Sequence, residues 1–328
     1  MSALDKPNLA AMCVRSGSHL DLEVQEVPAP KPPGPGEIQV ALNASGLNFS
    51  DLVKFSGTYQ VQTPRPFFVG GEASGRVVAV GSSVQDLLIG DVVLAPTGCV
   101  RFQTLRANEA TKVPDGIDLT VAASFRQNYQ TAIDGLLRAQ LRPGETLLVQ
   151  GAAGGVGLAA VDIGLQMGAR VIGVVSTEAK QAVVARYAAD AILRTEQGFR
   201  SEVLALTQGQ GADVVFDPVG GDVFDESVRC IAPFGRILVV GFASGRPALA
   251  KTNHLLVKDA AVIGYTAGGL RKNRPAEADR QLQTLMRWLV ADRIKPFISH
   301  VLPLEEIQAG YQLIVDREVV GKVMIDLT

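Results

Sequence analysis

The sequence predicts an α/β chain in which a doubly wound parallel sheet occupies the middle, flanked by a β-rich part that the C-terminal segment rejoins. Three observations predict this. From Thr131 onward, strand-length apolar runs alternate with glycine turns and helical segments, the pattern of parallel strands joined by crossover helices. Before about residue 120, short alternating runs are punctuated by glycine and proline instead, which is β texture. Beyond residue 264 that rhythm stops, and two helical segments and one strand finish the chain.

Taken in order, PAPKPPGPG at 28–36 sustains neither a helix nor a central strand, because proline lacks the amide donor and fixes φ. It links two strands. Ile38–Ala44 alternates as a strand does, and Gly75–Val80 and Asp91–Ala95 supply further short ones. The parallel strands are read at Thr146–Gln150, Arg170–Val175, Ala191–Leu193, Val214–Asp217, Arg236–Val240 and Ala261–Gly264, with helices such as Val156–Gln166 between them. Six strands in this rhythm make a doubly wound sheet. The tail is read as helices near Asp279–Ala291 and Leu304–Asp316 and a last strand Lys322–Leu327. The expected domains are 1–121, 122–264 and a return segment 265–328.

The chain has 328 residues, 47% hydrophobic and 20% charged, enough for two separately cored domains. Its net charge of -2 lacks the electrostatic footprint of a nucleic-acid or anionic-membrane binder, so a small-molecule partner is expected and neither nucleic acid nor membrane is. Cys13, Cys99 and Cys230 are scattered and odd in number, which argues against a disulfide framework. Met1–Ala11, with Asp5 and Lys6, does not read as a secretion signal. A cytoplasmic location is expected.

The stretch LLVQGAAGGVGLAAVDIGLQMGARVIGVVS places a buried strand, a glycine turn, a helix and a second strand in one unit, as a Rossmann mononucleotide half requires. Gly151, Gly154 and Gly157, with Ala152, Gly155 and Val156 among them, form the turn. Missing Cβ atoms let amides approach a pyrophosphate, and the helix N-terminus faces the phosphates. NAD sites usually end the second strand with a carboxylate for the ribose 2′-hydroxyl, but this chain has Ser176. Ser176, Thr177 and Lys180, with Arg194 ending the next strand, suit a 2′-phosphate, and the expected cofactor is NADPH. The competing readings are a solvated helix-face Lys180 and a surface Arg194.

In SGLNFSDLVKFSGTY at 45–59, VGGEASGRVVAVG at 69–81, GAAGGVG at 151–157, VVFDPVGGDVFDESV at 214–228, FGRILVVGFASG at 234–245 and NHLLVKDAAVIG at 253–264, the chain resembles the zinc-free quinone oxidoreductase branch of the medium-chain dehydrogenase/reductase superfamily. The resemblance spans almost the whole chain. It implies a GroES-like β-rich catalytic domain with the Rossmann NADPH-binding domain inserted, an active site in the cleft between them, and a homodimer. In zinc alcohol dehydrogenases the positions of Asn48 and Gly71 hold cysteine and histidine, and Cys99 stands alone where the structural zinc lobe has four cysteines. No metal is expected, and His19, His254 and His300 are read as surface or structural.

Without a Lewis acid, a conjugated acceptor is the favourable hydride acceptor, because it stores charge as an enolate or hydroquinone anion. The resemblance makes Asn48 a donor to substrate or nicotinamide ribose, with a turn-stabilising asparagine as the alternative. It matches Tyr59 to the proposed proton donor of enoyl thioester reductases, with a packed aromatic as the alternative. It places Tyr129 and Thr131 beside the nicotinamide and the loop of Gly241, Phe242, Ala243 and Ser244 on its other side, with Gly241 and Gly245 letting that loop turn tightly. Asp51 is expected to fix its loop, Arg126 to meet an anionic substrate or lie on the surface, and Lys322 to approach the cofactor phosphates or be a solvated strand-start lysine. The expected function is an NADPH-dependent, zinc-independent reductase of quinones or other conjugated carbonyls. The alternatives are a trans-2-enoyl thioester (enoyl-CoA) or enone reductase, and an NADPH-binding protein with little turnover.

Overall fold

The computed structural model describes residues 6–59, 61–195 and 198–328. Contacts divide the chain into two units, one ending at Arg126 and resuming at Pro296, the other running from Gln127 to Lys295. In the first unit lie strands β1 (Leu9–Cys13), β2 (Glu23–Glu26) and β3 (Glu37–Gly46), helix α1 (Phe49–Phe55), and strands β4 (Phe67–Phe68), β5 (Ala73–Val80), β6 (Val92–Ala95), β7 (Phe102–Arg106) and β8 (Thr111–Lys112). Helix α2 (Leu119–Arg138) carries the chain into the second unit. There follow β9 (Thr146–Val149), α3 (Gly155–Gln166), β10 (Arg170–Val175), α4 (Glu178–Val184), β11 (Ala191–Arg194), α5 (Arg200–Leu206), β12 (Ala212–Asp217), α6 (Gly221–Arg229), β13 (Ile231–Val239), α7 (Thr252–Leu256), β14 (Ala261–Gly264), α8 (Ala267–Asn273) and α9 (Pro275–Val290). Strand β15 (Ile298–Pro303), helix α10 (Ile307–Val315) and strand β16 (Lys322–Asp326) complete the first unit.

Among the described residues the second unit holds a parallel sheet in the order β11-β10-β9-β12-β13-β14. The order reverses beside β9, the crevice where dinucleotides bind in such sheets. Its inner strands are buried on both faces, with Leu148, Ile172, Val174, Val215 and Ile237 fully enclosed, which is why they read as continuous apolar runs. The first unit runs β15-β16-β3-β5-β6-β8 with β7 also on β3, beside a small sheet β2-β1-β4. Its core centres on Ile38, Val40, Phe55, Val93, Tyr311 and Ile325, and Phe55 meets Tyr311 edge to face at 5.0 Å. The proline-rich stretch 28–36 links β2 to β3, as the sequence predicts.

Three expectations need correction. The chain re-enters the first unit at Pro296, not at residue 265. Helix α9 buries Ala278, Leu282, Leu285 and Met286 within the second unit, and Gln281 Nε2 and Gln130 Nε2 donate across α2 and α9 to Asp134 Oδ1 at 3.1 Å and Ala278 O at 2.7 Å. Helix α2 starts at Leu119, well before the predicted change of texture at Thr131, because Asp118 Oδ1 accepts the amides of Thr120 and Val121 at 2.8 and 3.1 Å. Strand β13 begins at Ile231, which pairs with Ala212 ahead of a register shift. No helix among the described residues is long and apolar enough to cross a membrane.

Candidate active site

In the first unit the segment after β3 is held by Asp51. Its Oδ2 accepts the Asn48 backbone amide at 3.0 Å and the Tyr311 hydroxyl at 3.1 Å, and its Oδ1 accepts Lys54 Nζ at 2.9 Å. Asp51 therefore fixes its loop, the role the sequence predicts. Burial, reinforced by Asp51, lifts the Tyr311 phenol well above its ordinary range. Burial pulls the Lys54 ammonium down, but the Asp51 carboxylate outweighs it and leaves the pKa above the usual lysine value. Lys54 Nζ also lies 5.8 Å from the Tyr59 ring centroid, at the outer edge of cation–π range.

Asn48 caps α1 and is enclosed by charge. Lys322 Nζ donates to Asn48 Oδ1 at 2.6 Å and pairs with Glu72, while Asn48 Nδ2 points at Gly46 O and Glu72 Oε1, both at 3.4 Å. Lys322 is 3% exposed and Glu72 1%. The reading of Lys322 as a solvated strand-start lysine is thus corrected, because its ammonium is buried against two acceptors of its own unit. Arg126 is buried too, which removes its surface reading.

In the second unit the turn after β9 has the shape a pyrophosphate needs. Gly151 has φ +57°, which favours glycine, and a Cβ on Gly157 would lie 2.2 Å from Gly151 O, so helix and turn meet only because that atom is missing. Gly154 caps α3 with extended backbone and is exposed. The first-turn amides of α3, including those of Gly155 and Val156, have no partner within the helix. Ala152 departs from expectation: it is fully buried and its amide donates to Val174 O at 2.9 Å, so it shapes the turn without facing a ligand.

At the end of β10, Lys180 Nζ donates to Ser176 Oγ at 3.2 Å, and Thr177 Oγ1 caps α4 by accepting the Lys180 amide at 3.3 Å. Arg194 pairs in register with Val175, beside this group. A shallow pocket of about 360 Å³, lined by Glu178, Gln181, Ile192, Leu193, Arg194 and Glu202, adjoins it.

The remaining expected cofactor residues divide. In the 241–245 loop, the Ala243 and Ser244 amides donate to Pro218 O and Val219 O, each at 3.0 Å. Gly245 has φ +83°, whereas Gly241 does not need to be glycine by conformation, its Cβ meeting Pro218 O at an ordinary 3.4 Å. Phe242 is half-buried and Ser244 exposed. Tyr129 is buried and its hydroxyl donates to Asp162 Oδ2 at 2.7 Å, which also accepts the Lys295 amide at 2.7 Å. Thr131 Oγ1 bonds back to Gln127 O at 2.6 Å in its own helix. Both hydroxyls are thus bonded inside the unit.

Sequence reasoning missed Asp217. Its Oδ1 accepts the Val219 and Gly220 amides at 2.8 and 2.9 Å, building the turn that receives the 241–245 loop, while burial holds its carboxyl above the usual range. The signal was available: an aspartate closing an apolar strand before Pro-Val-Gly-Gly is an Asx-turn pattern. Glu72, missed as well, sits in VGGEASG, a charge inside a small-residue run.

Comparison with known proteins identifies the family. Residues 34–133 match the alcohol dehydrogenase GroES-like domain and residues 155–288 the zinc-binding dehydrogenase family. The chain is 36% identical to quinone oxidoreductase-like protein 2 homolog of Nematostella vectensis over 97% of its own length and 88% of that protein's. The chain belongs to the quinone oxidoreductase-like group of the medium-chain dehydrogenase/reductase superfamily. This quinone oxidoreductase-like protein is an oxidoreductase with the family's two-domain architecture, a β-rich GroES-like part and a Rossmann sheet. It superposes on Escherichia coli quinone oxidoreductase complexed with NADPH with a TM-score of 0.88 at 26% identity, covering 97% of this chain and 99% of the other. It is also 29% identical to acryloyl-coenzyme A reductase of Metallosphaera sedula, over 95% of its own length and 98% of that enzyme's. Together with the turn around Gly157, these relatives support a nicotinamide cofactor. Despite the name of the second matched family, among the described residues no group of three or more His, Cys, Asp or Glu is placed to hold a metal ion.

Proposed function

We propose that the protein is an NADPH-dependent, metal-independent reductase that transfers hydride to a quinone or another conjugated carbonyl acceptor. The observation that carries the reading is Lys180 Nζ on Ser176 Oγ at 3.2 Å, an ammonium and a hydroxyl where an NAD site presents a carboxylate. Gly151, Gly154, Gly155, Val156 and Gly157 hold the pyrophosphate, Ser176, Thr177, Lys180 and Arg194 the 2′-phosphate, and residues 241–244 the nicotinamide end. When bound, NADPH supplies the hydride from nicotinamide C4. Asn48 Nδ2 donates to the acceptor oxygen as it gains charge. The Lys322 ammonium on Asn48 Oδ1 makes this position unfavourable for a metal cation, so the chemistry suits acceptors that need no Lewis acid.

Lys180→Ala is expected to lower kcat/KM for NADPH about tenfold, roughly 1.4 kcal/mol for a lost charge-assisted contact, and to leave NADH within about twofold. Equal losses with both nucleotides in steady-state assays count against the 2′-phosphate assignment.

A second reading, reduction of a 2-enoyl thioester, draws on Lys54 Nζ near the Tyr59 ring at 5.8 Å and on the acryloyl-coenzyme A reductase relative. Tyr59 then delivers a proton to the α carbon. NADPH oxidation with a benzoquinone and with a trans-2-enoyl-CoA, run in parallel, separates the two. Under the quinone reading Tyr59→Phe retains most turnover, since water can protonate the product. Under the thioester reading it loses about a hundredfold. Absence of turnover with either acceptor leaves only nucleotide binding.

The reading extends to a homodimer. Strand β14 ends the sheet order, and beside it Phe234, Leu256 and Val257 are 71%, 78% and 79% exposed, with the Phe234 amide bonded to Lys258 O. An open edge next to exposed apolar side chains suits a second copy. Leu256→Lys combined with Val257→Lys is expected to halve the mass measured by light scattering; an unchanged mass removes this surface from the dimer.

A further inference from the structure

Lys322, Glu72 and Gly46 enclose the side chain assigned to the acceptor oxygen. We infer that Lys322 is the positioning residue that holds the Asn48 amide one way round, with Glu72 as its counterion, an inference that rests on reading Asn48 as the donor to the acceptor. An asparagine amide has nearly the same shape when flipped, so its partners alone decide which end faces where. An ammonium carries donors only, and Lys322 Nζ stands 2.6 Å from Oδ1. A flipped amide sets donor against donor there, so the carbonyl end is fixed on the lysine and Nδ2 is turned the other way.

On that side Nδ2 faces acceptors, with Gly46 O and Glu72 Oε1 both at 3.4 Å, which agrees with the same orientation of the amide.

Two further observations agree. A buried ion pair is a poor stabiliser compared with apolar side chains of the same volume, so Lys322 and Glu72, at 3% and 1% exposure, are better explained by what they orient. The lysine also enters where the chain has left room: a Cβ on Gly46 would lie 2.6 Å from Lys322 Cε and 3.0 Å from Glu72 Oε1.

The test is a cycle between the charge-neutral pair Lys322→Met with Glu72→Gln, which leaves no lone buried ion, and Asn48→Ala. Fold is checked by circular dichroism and melting temperature. Neutralising the pair is expected to lower kcat about tenfold with KM for NADPH within about twofold, and to have no further effect in the Asn48→Ala background. Additive losses overturn the inference. A second measurement on the ligand-free protein is independent of turnover. The Asn48 side-chain amide protons, assigned by their absence in Asn48→Ala, are expected to exchange with solvent about tenfold faster in the neutral pair. Unchanged exchange overturns the inference even in an active enzyme, whereas a wild type inactive with every conjugated acceptor removes the functional reading and leaves the exchange result to decide the positioning. Gly46→Ala, whose Cβ crowds Lys322 Cε and Glu72 Oε1 while leaving both of them and Asn48 chemically unchanged, is expected to reproduce both effects; no change in either measurement overturns the inference.

Discussion

Replacing Gly157 with alanine is expected to weaken NADPH binding about a hundredfold, about 2.7 kcal/mol, and to lower the melting temperature by about 5 °C. The added Cβ would lie 2.2 Å from Gly151 O, 2.8 Å from Gly151 C and 3.0 Å from Ala152 Cα. These are backbone atoms of the turn itself, so no side chain can swing aside. Relief requires the turn to move off helix α3, at an overpacking cost of about 2 kcal/mol. The same movement displaces the amides around Gly154 that face the pyrophosphate. Gly154→Ala is the control, because its Cβ meets Gly151 O at an ordinary 3.4 Å and its φ is −73°. It is expected to change stability by less than about 0.5 kcal/mol. Titration of NADPH fluorescence together with thermal melting checks both. Binding by Gly157→Ala within threefold of wild type would move the pyrophosphate away from this turn.

The parts of the fold that were legible share a physical reason. Strands such as Thr146–Val149 and Arg170–Val175 are enclosed on both faces, and that enclosure writes itself into the sequence as an unbroken apolar run ended by glycine. The turn around Gly157 was legible because steric exclusion of a Cβ leaves a glycine as its trace. Lys322 was illegible for the opposite reason. Its partners Asn48 and Glu72 are 274 and 250 residues away, and a lysine opening a strand looks the same whether it meets water or a buried carboxylate. Tyr129 shows a third case, since its hydroxyl on helix α2 reaches Asp162 on helix α3, a pairing that no pattern along one helix reveals. The return point failed likewise, because α9 packs on α2 through Gln281 and Gln130 rather than through a strand the eye can count.

Arg236→Ala is expected to lower the stability of the second unit by about 3 kcal/mol, more than any other single truncation of a polar side chain there. The guanidinium donates from Nε to Ala139 O at 2.9 Å and from its two terminal nitrogens to Gln140 O at 2.9 Å, Asp213 O at 3.2 Å and both Glu145 oxygens at 2.8 and 3.1 Å. It therefore caps the carbonyls just past the C-terminus of α2, where a cation is favoured, and ties them to β12, β13 and the start of β9. Alanine leaves those carbonyls and a half-buried carboxylate without their donor. Arg236→Lys keeps the charge but loses the fork, and is expected to retain about half the stabilisation. The pH dependence has a definite sign. Burial raises the Glu145 carboxyl, but the Arg236 hydrogen bonds outweigh it, so its folded-state pKa lies below the ordinary glutamate value. Its contribution is complete above the unfolded pKa, about 4.3, and is lost as pH falls through the lower folded value. In urea unfolding, the gap between wild type and Arg236→Ala should be widest at neutral pH and narrow below about pH 4. A gap that stays the same from neutral pH to below about pH 4 would assign the stabilisation to the carbonyl contacts alone.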